Sequence, residues 1–201
     1  MNYLQKCFIA SVKHCDEEIL MLSKKNCHQV GLDSIVIADT NGKLTRAFFA
    51  HEDHSMWKNI AITKPSLGIH NHKYNLKLTS LYGTSYNLVC KVVEHKKGMY
   101  AHIYSSVIGG GCGVVGKARP VSLELLSSNK ITVVDIPHDT LHTVMVPMFD
   151  KAAWIVEEGE VLKQSTTLVT HLKKQELIFN NLYSGFESKD EIVNMVEEFL
   201  K

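Results

Sequence analysis

His70-Asn-His72 sets two imidazoles two positions apart. On an extended chain residues at that spacing point to one face, where both can meet a single ion. Neutral imidazole is the commonest metal ligand and also the side chain that titrates near neutrality. A third donor has to come from elsewhere in the chain, and His142, in Pro137-His-Asp-Thr-Leu-His142, is the best placed, because it opens a strand-like run after a turn. Three neutral nitrogens with open coordination positions suit iron, zinc, nickel or copper, and the open positions are what substrate or dioxygen would occupy. Two histidines on a wet strand face also arise easily, so a protein that holds no metal is the standing alternative.

Other residues of chemical interest group around this set. His51-Glu-Asp-His54 is a second cluster, in which Glu52 and Asp53 either orient a ligand histidine or are simply solvated, and Trp57 suits a cavity wall. Tyr100, His102 and Tyr104 share one face of a strand. Facing inward they are substrate contacts or proton donors; facing outward they decorate the exterior. His138 is close to His142 in sequence, but the intervening turn leaves its direction open. His14, His28, His95 and His171 lie among polar residues and read as surface.

Gly111 to Lys117 spells G-x-x-x-x-G-K, the phosphate-loop pattern. Ala118-Arg-Pro120 follows, so the magnesium-binding hydroxyl is missing and proline opposes a helical continuation, which argues against an ATPase. The glycines read instead as a mobile flap or a tight crossover between strands. Their amides, with Lys117 and Arg119, could hold an anionic ligand. Arg46 and Arg119 are the only arginines, so bidentate anion recognition has to run through one of them, through lysines or through backbone amides. Cys112 has no clear activating neighbour.

The elements that must position these groups are mostly short strands. The first thirty residues read as helical, with Phe8, Val12, Ile19, Leu20 and Leu22 among polar residues. A hairpin follows, with Ser34 to Ala38 and Lys43 to Phe49 joined through Asn41-Gly42. Strand-like runs then recur: Asn75 to Tyr82, Tyr86 to Val93, Met99 to Val107, Val121 to Leu126, Ile131 to Asp135, Thr143 to Met148, Ala152 to Val156 and Thr166 to Leu172. Such spacing indicates an antiparallel sandwich or barrel. Ser188-Lys-Asp-Glu191 is a capping-box pattern, after which Ile192, Val196, Phe199 and Leu200 form one apolar helix face for packing on the sheet. One domain over residues 1–201 is expected: a helical segment 1–30, a β-barrel 34–172 and a helix 188–200.

Composition narrows the partners. The 201 residues are 45% apolar and 21% charged, and 22 basic side chains nearly cancel 21 acidic ones. That balance fits a globular domain and speaks against nucleic acid, whose binding needs clustered positive charge. No run approaches the roughly eighteen apolar residues of a membrane span, and no signal sequence is seen. Five cysteines without a C-x-x-C pair indicate reduced thiols and a cytoplasmic location rather than a disulfide framework or a zinc ribbon.

In the segment HNHKYNLKLTSLYG, His70, His72 and Gly83 match the first motif of the cupin superfamily, His-x-His followed by Glu and Gly. Pro137 and His142 match the second, Pro-x-Gly-x-x-His, with Asp139 at the glycine position. The chain thus resembles the cupins over Leu67 to Leu172, and the resemblance implies a jelly-roll barrel with the metal at His70, His72 and His142. Where cupins place a metal-binding glutamate this chain has Leu76 or Lys77. Three histidines without a carboxylate is the ligand set of the thiol dioxygenases in that superfamily. The resemblance therefore implies iron(II), with zinc, nickel, copper or no metal as alternatives, and dioxygenase-like chemistry on a small polar molecule. A second reading is a non-catalytic cupin that captures a small anionic ligand, such as a nucleotide or sugar, through Lys77, Lys117 and Arg119. Cupin-like barrels often pair through exposed strands, which leaves a homodimer and an interaction role open.

Overall fold

The computed structural model describes residues 1–27, 31–54, 69–94, 99–105, 110–170 and 183–201, with the backbone alone for 99–105, 110–115, 168 and 170. His28, Trp57, His95 and His171 lie outside the described residues. The elements in chain order are α1 (Tyr3–His14), α2 (Glu17–Leu20), β1 (Leu32–Thr40), β2 (Lys43–Ala50), β3 (Tyr74–Val93), β4 (Met99–Ser105), β5 (Gly110–Ser127), β6 (Val133–Ile136), β7 (Leu141–Met145), β8 (Ala152–Val161), β9 (Ser165–Thr170) and α3 (Lys189–Phe199). This is the expected mainly-β, antiparallel architecture with helices at both ends.

Every strand pairing among the described residues is antiparallel. The strands run in the order β1-β2-β8-β3-β5-β4-β9, with β6 and β7 also on β3. β3 belongs to two sheets. Its first half, to Gly83, lies between β8 and β6; its second half, from Thr84, lies between β5 and β7. Two strands separated by a Gly83-Thr-Ser turn were expected here, but Gly83, at φ +63°, bends one strand from the first sheet into the second. The segment Ile69–Asn71 bridges the far edges: His70 and His142 exchange both backbone hydrogen bonds (3.0 and 2.8 Å), Asn71 N donates to Thr167 O (3.1 Å) and Val169 N to Ile69 O (2.9 Å). Backbone pairing thereby runs in a closed circuit through β7, β3, β5, β4 and β9.

The glycine-rich segment is also strand. From Gly110 it is the first part of β5, paired with β4 through register shifts after Ala101 and Ile103. Its glycines accommodate these irregularities, so neither a flap nor a phosphate loop forms among the described residues. The β1–β2 hairpin turns as expected at Asn41 (φ 56°) and Gly42 (φ 80°).

Side-chain alternation divides the first sheet between two cores. Ile35, Ala47, Phe49, Leu81 and Ala153 face the helices and pack with Phe8 and Val12 of α1 and with Ile192, Val196, Phe199 and Leu200 at α3. The expected face of α3 is therefore spent on the sheet, with Ser188 capping it by accepting from Glu191 N at 3.2 Å. The N-terminal helix is shorter than expected, because Asp16 breaks it and caps the four-residue α2. Phe48, Ala50, Leu76, Leu78, Trp154 and Val156 form the opposite core with Leu126 of β5 and Val144 of β7. Between these two sheets lies the cavity that holds the histidines. Among the described residues no helix is long and apolar enough to cross a membrane.

Candidate metal centre

Register brings His70 and His142 together. They stand directly opposite each other in an antiparallel bridge, and His72, two residues on, shares their face. The ring centroids of His70 and His72 are 4.6 Å apart, those of His72 and His142 5.1 Å, and those of His70 and His142 5.7 Å. All three side chains line one cavity of about 440 Å³. Asp139, at the motif's glycine position, has no positive φ; Thr140 N donates to Pro137 O across an ordinary turn, so the exchange for glycine carries no strain.

A chain of hydrogen bonds fixes the state of His142. Asn87 Nδ2 donates to Glu124 Oε2 (2.8 Å), which orients the amide so that Oδ1 accepts from His142 Nδ1 (2.8 Å). Nδ1 therefore carries the proton, and Nε2 presents its lone pair to His72 Nε2, 2.9 Å away. Burial, followed by the neighbouring His70, holds the His142 pKa down to about 3. Burial likewise keeps His72 well below the ordinary imidazole range, reinforced by His70 and His142. Both rings are neutral at physiological pH, the form that ligates metal.

The contact of His72 with His142 is a hydrogen bond between the two rings, His72 Nε2 donating to the His142 Nε2 lone pair; its 2.9 Å also equals the separation of two nitrogens each about 2.0–2.1 Å from one metal and subtending a right angle. His70 is beside them on the same face. Among the described residues, however, no group of three His, Cys, Asp or Glu side chains is arranged to hold an ion. Of the two residues where the resemblance expects a glutamate, Leu76 is buried in the cavity wall and Lys77 points away from it, so neither supplies a donor.

A second polar set in the same cavity was not singled out from the sequence. Glu158, on β8, stands opposite Leu76 in the β3–β8 register. It pairs with Arg46 of β2, accepts from Tyr74 Oη at 3.0 Å and from Leu44 N at 3.2 Å. Burial and the neighbouring Glu158 carboxylate push the Tyr74 pKa well up, so the phenol keeps its proton. The Tyr74 ring stacks on His72 at 5.8 Å between centroids. Strand alternation offered one signal: Arg46 shares a face with Phe48, which is apolar and points into the same cavity.

The remaining candidates lie elsewhere. Lys77 falls between the inward-facing Leu76 and Leu78, points outward and pairs with Glu157 at 3.5 Å. Arg119 is exposed on β5 opposite Lys91, and Lys117, half-buried, stands opposite Val93 and Tyr100. None of the three lines the histidine cavity. His51 bonds to Asp33 Oδ2 at 3.0 Å and stacks edge-on against Phe199 on the helix side of the sheet. His54 is buried, its Nε2 donating to Pro147 O at 3.1 Å. His138 faces Asn75, whose Oδ1 accepts from His138 N at 2.9 Å. Tyr100, His102 and Tyr104 are on β4 with backbones paired to β5 and β9.

No family model matches the sequence, and no curated protein is detectably similar to it in sequence. Solved structures of similar shape include a hydroquinone 1,2-dioxygenase in complex with Cd2+ and 4-hydroxybenzonitrile (13% identity over 63% of this chain, TM-score 0.37). This chain spans about 64% of that one. A polyketide cyclase from Streptomyces resistomycificus aligns with 82% of this chain and 85% of its own, at 10% identity and a TM-score of 0.35. A cupin-2 domain protein from Rhodospirillum rubrum aligns with 88% of this chain and 84% of its own, at 10% identity and a TM-score of 0.30. These likenesses are distant, and the site is defined by this chain's own residues.

Proposed function

We propose that the chain is a metal-dependent, cupin-like enzyme in which His70, His72 and His142 hold a divalent metal, iron(II) in the first place, for dioxygenase-like chemistry on a small molecule in the cavity. The observation that carries this is the 2.9 Å approach of His72 Nε2 to His142 Nε2, with the His142 lone pair directed there by Asn87. His70 completes the set by turning its ring, its backbone being already in register with His142. A bound ion would supply open positions for dioxygen or a substrate oxygen. The protein's own part is to keep the imidazoles neutral and to hold a proton on Tyr74 Oη beside the His72 ring, while the apolar walls exclude water. Tyr100, His102 and Tyr104 on β4 stay in the proposal as further proton donors.

Metal content tests the reading. Protein purified without chelator or added metal is expected to carry stoichiometric iron, or to take it up anaerobically, and to lose it in His70→Ala and His142→Ala. Metal-free protein that takes up no divalent ion, and whose stability is unchanged in those variants, would sink it.

A further inference from the structure

His142 and His72 are held in different ways. The His142 ring is fixed from behind by Asn87, whereas His72 stands between the bridge at His70 and the first residue of β3, outside any strand. Among the described residues its side chain makes one hydrogen bond, the one to His142. Tyr74, two residues on along the extended chain, lies on the same face. Its ring stacks on the imidazole with planes at 25° and centroids 5.8 Å apart, within the range of an offset aromatic pair. The far end of that ring is tethered, because Tyr74 Oη donates to Glu158 Oε1 at 3.0 Å. Glu158 is in turn held by donors from β2, the Arg46 guanidinium at Oε1 and Leu44 N at Oε2, 3.2 Å away, and its side chain is only 7% exposed. A carboxylate with both oxygens engaged by donors on two neighbouring strands has little freedom to swing. A continuous set of contacts therefore runs from β2 through β8 and the phenol to the His72 ring.

We propose that Glu158 is a positioning residue for His72: by anchoring the phenol of Tyr74 it fixes the ring against which His72 is set, and so keeps His72 Nε2 directed at His142. Through Tyr74, Glu158 does for His72 what Asn87 does for His142. The assignment rests on the centre proposed above, to which it adds the device that orients the second histidine.

Proton–nitrogen NMR of the histidine side chains in chelator-treated, metal-free protein tests the proposal, because His72 Nε2–H and His142 Nδ1–H both lie in hydrogen bonds and Asn87 holds the second independently of Tyr74. The parent chain is expected to show both as separate downfield signals. Tyr74→Phe keeps the ring and removes its tether; Arg46→Met/Glu158→Leu removes the acceptor without leaving a buried charge. Each is expected to lose the His72 signal to exchange with solvent while the His142 signal remains. Arg46→Met/Glu158→Gln, whose amide oxygen still accepts from Tyr74 Oη, is expected to keep both. Retention of the His72 signal in Tyr74→Phe and in the leucine double variant would overturn the proposal, as would its loss in the glutamine double variant. Loss of both signals together would overturn it as well, by showing that these residues support the core in general. Since no metal is present in the sample, these outcomes are independent of the metal content that decides the catalytic reading.

Discussion

Asn87 Oδ1 accepts the Nδ1 proton of His142 at 2.8 Å, and through that bond Asn87 selects the nitrogen that His142 turns towards His72. The amide cannot flip without cost, because its Nδ2 is donated to Glu124. Such outer partners of ligand histidines typically contribute about 10–100-fold in metal affinity. If the proposed centre holds a metal, Asn87→Leu is therefore expected to weaken divalent-metal binding by roughly that factor, with His70, His72 and His142 all still present. Competition with a chromophoric chelator measures it, and unchanged affinity in a folded variant would detach Asn87 from the centre.

Gly83 carries the bend that lets β3 serve both sheets. At φ +63° it has the left-handed backbone that only glycine adopts freely, and a Cβ there would lie 2.1 Å from the Lys151 carbonyl oxygen. Gly83→Ala meets both penalties, and the clash is with the backbone of Lys151, the residue that leads into β8. A loss of about 3 kcal/mol or more in unfolding free energy is expected. Denaturant titration checks it; a loss below about 0.5 kcal/mol, the usual range for a benign surface change, would show that the bend does not depend on this residue.

Much of this was legible in the sequence, and what was missed has physical reasons. Period-two spacing and turn residues announce the β architecture, and the closeness of His70, His72 and His142 is legible because two-residue spacing and a turn-then-strand context survive folding. Strand ends were less legible: Gly83 and the run from Gly110 read as breaks, yet a long sheet uses glycine to bend and to absorb register shifts without ending. Glu158 escaped because Glu157-Glu-Gly159 reads as a turn, whereas β8 continues to Val161. Its closeness to Tyr74 and Arg46 exists only through the β2–β8–β3 order, a pairing of distant segments that no local pattern encodes. Lys77, Lys117 and Arg119 stand out in the sequence by charge, but strand alternation puts Lys77 on the outside, and Arg46, the other arginine, is the one in the cavity.

The thiols offer a separate check on packing. Burial pushes Cys27 and Cys90 up to about 11, so almost none of either is thiolate at neutral pH. Native protein treated briefly with iodoacetamide at pH 7.5 is expected to leave both unmodified, and both should react fully after denaturation. Peptide mass mapping reads the difference. Rapid alkylation of Cys27 in the native state would mean that its cover, against Leu32 and its neighbours, opens readily.

His54 gives the pH dependence a sign. It is buried beneath the loop after β7, and burial lowers its pKa below the ordinary value of 6.5. The unfolded chain therefore binds a proton more readily than the folded one, and protonation favours unfolding. The stability due to neutral His54 is fully present above about pH 6.5. It falls as the pH drops from there towards the lower folded value, by up to about 1.4 kcal/mol per pH unit. His72 and His142 act in the same direction, so the total slope does not isolate His54. His54→Gln does, since an amide can donate to Pro147 O as His54 Nε2 does and does not titrate. Unfolding free energies of metal-free protein at pH 7 and pH 5 are expected to differ less in His54→Gln than in the parent chain. Equal differences in the two proteins would mean that His54 is hydrated or protonated in the folded state.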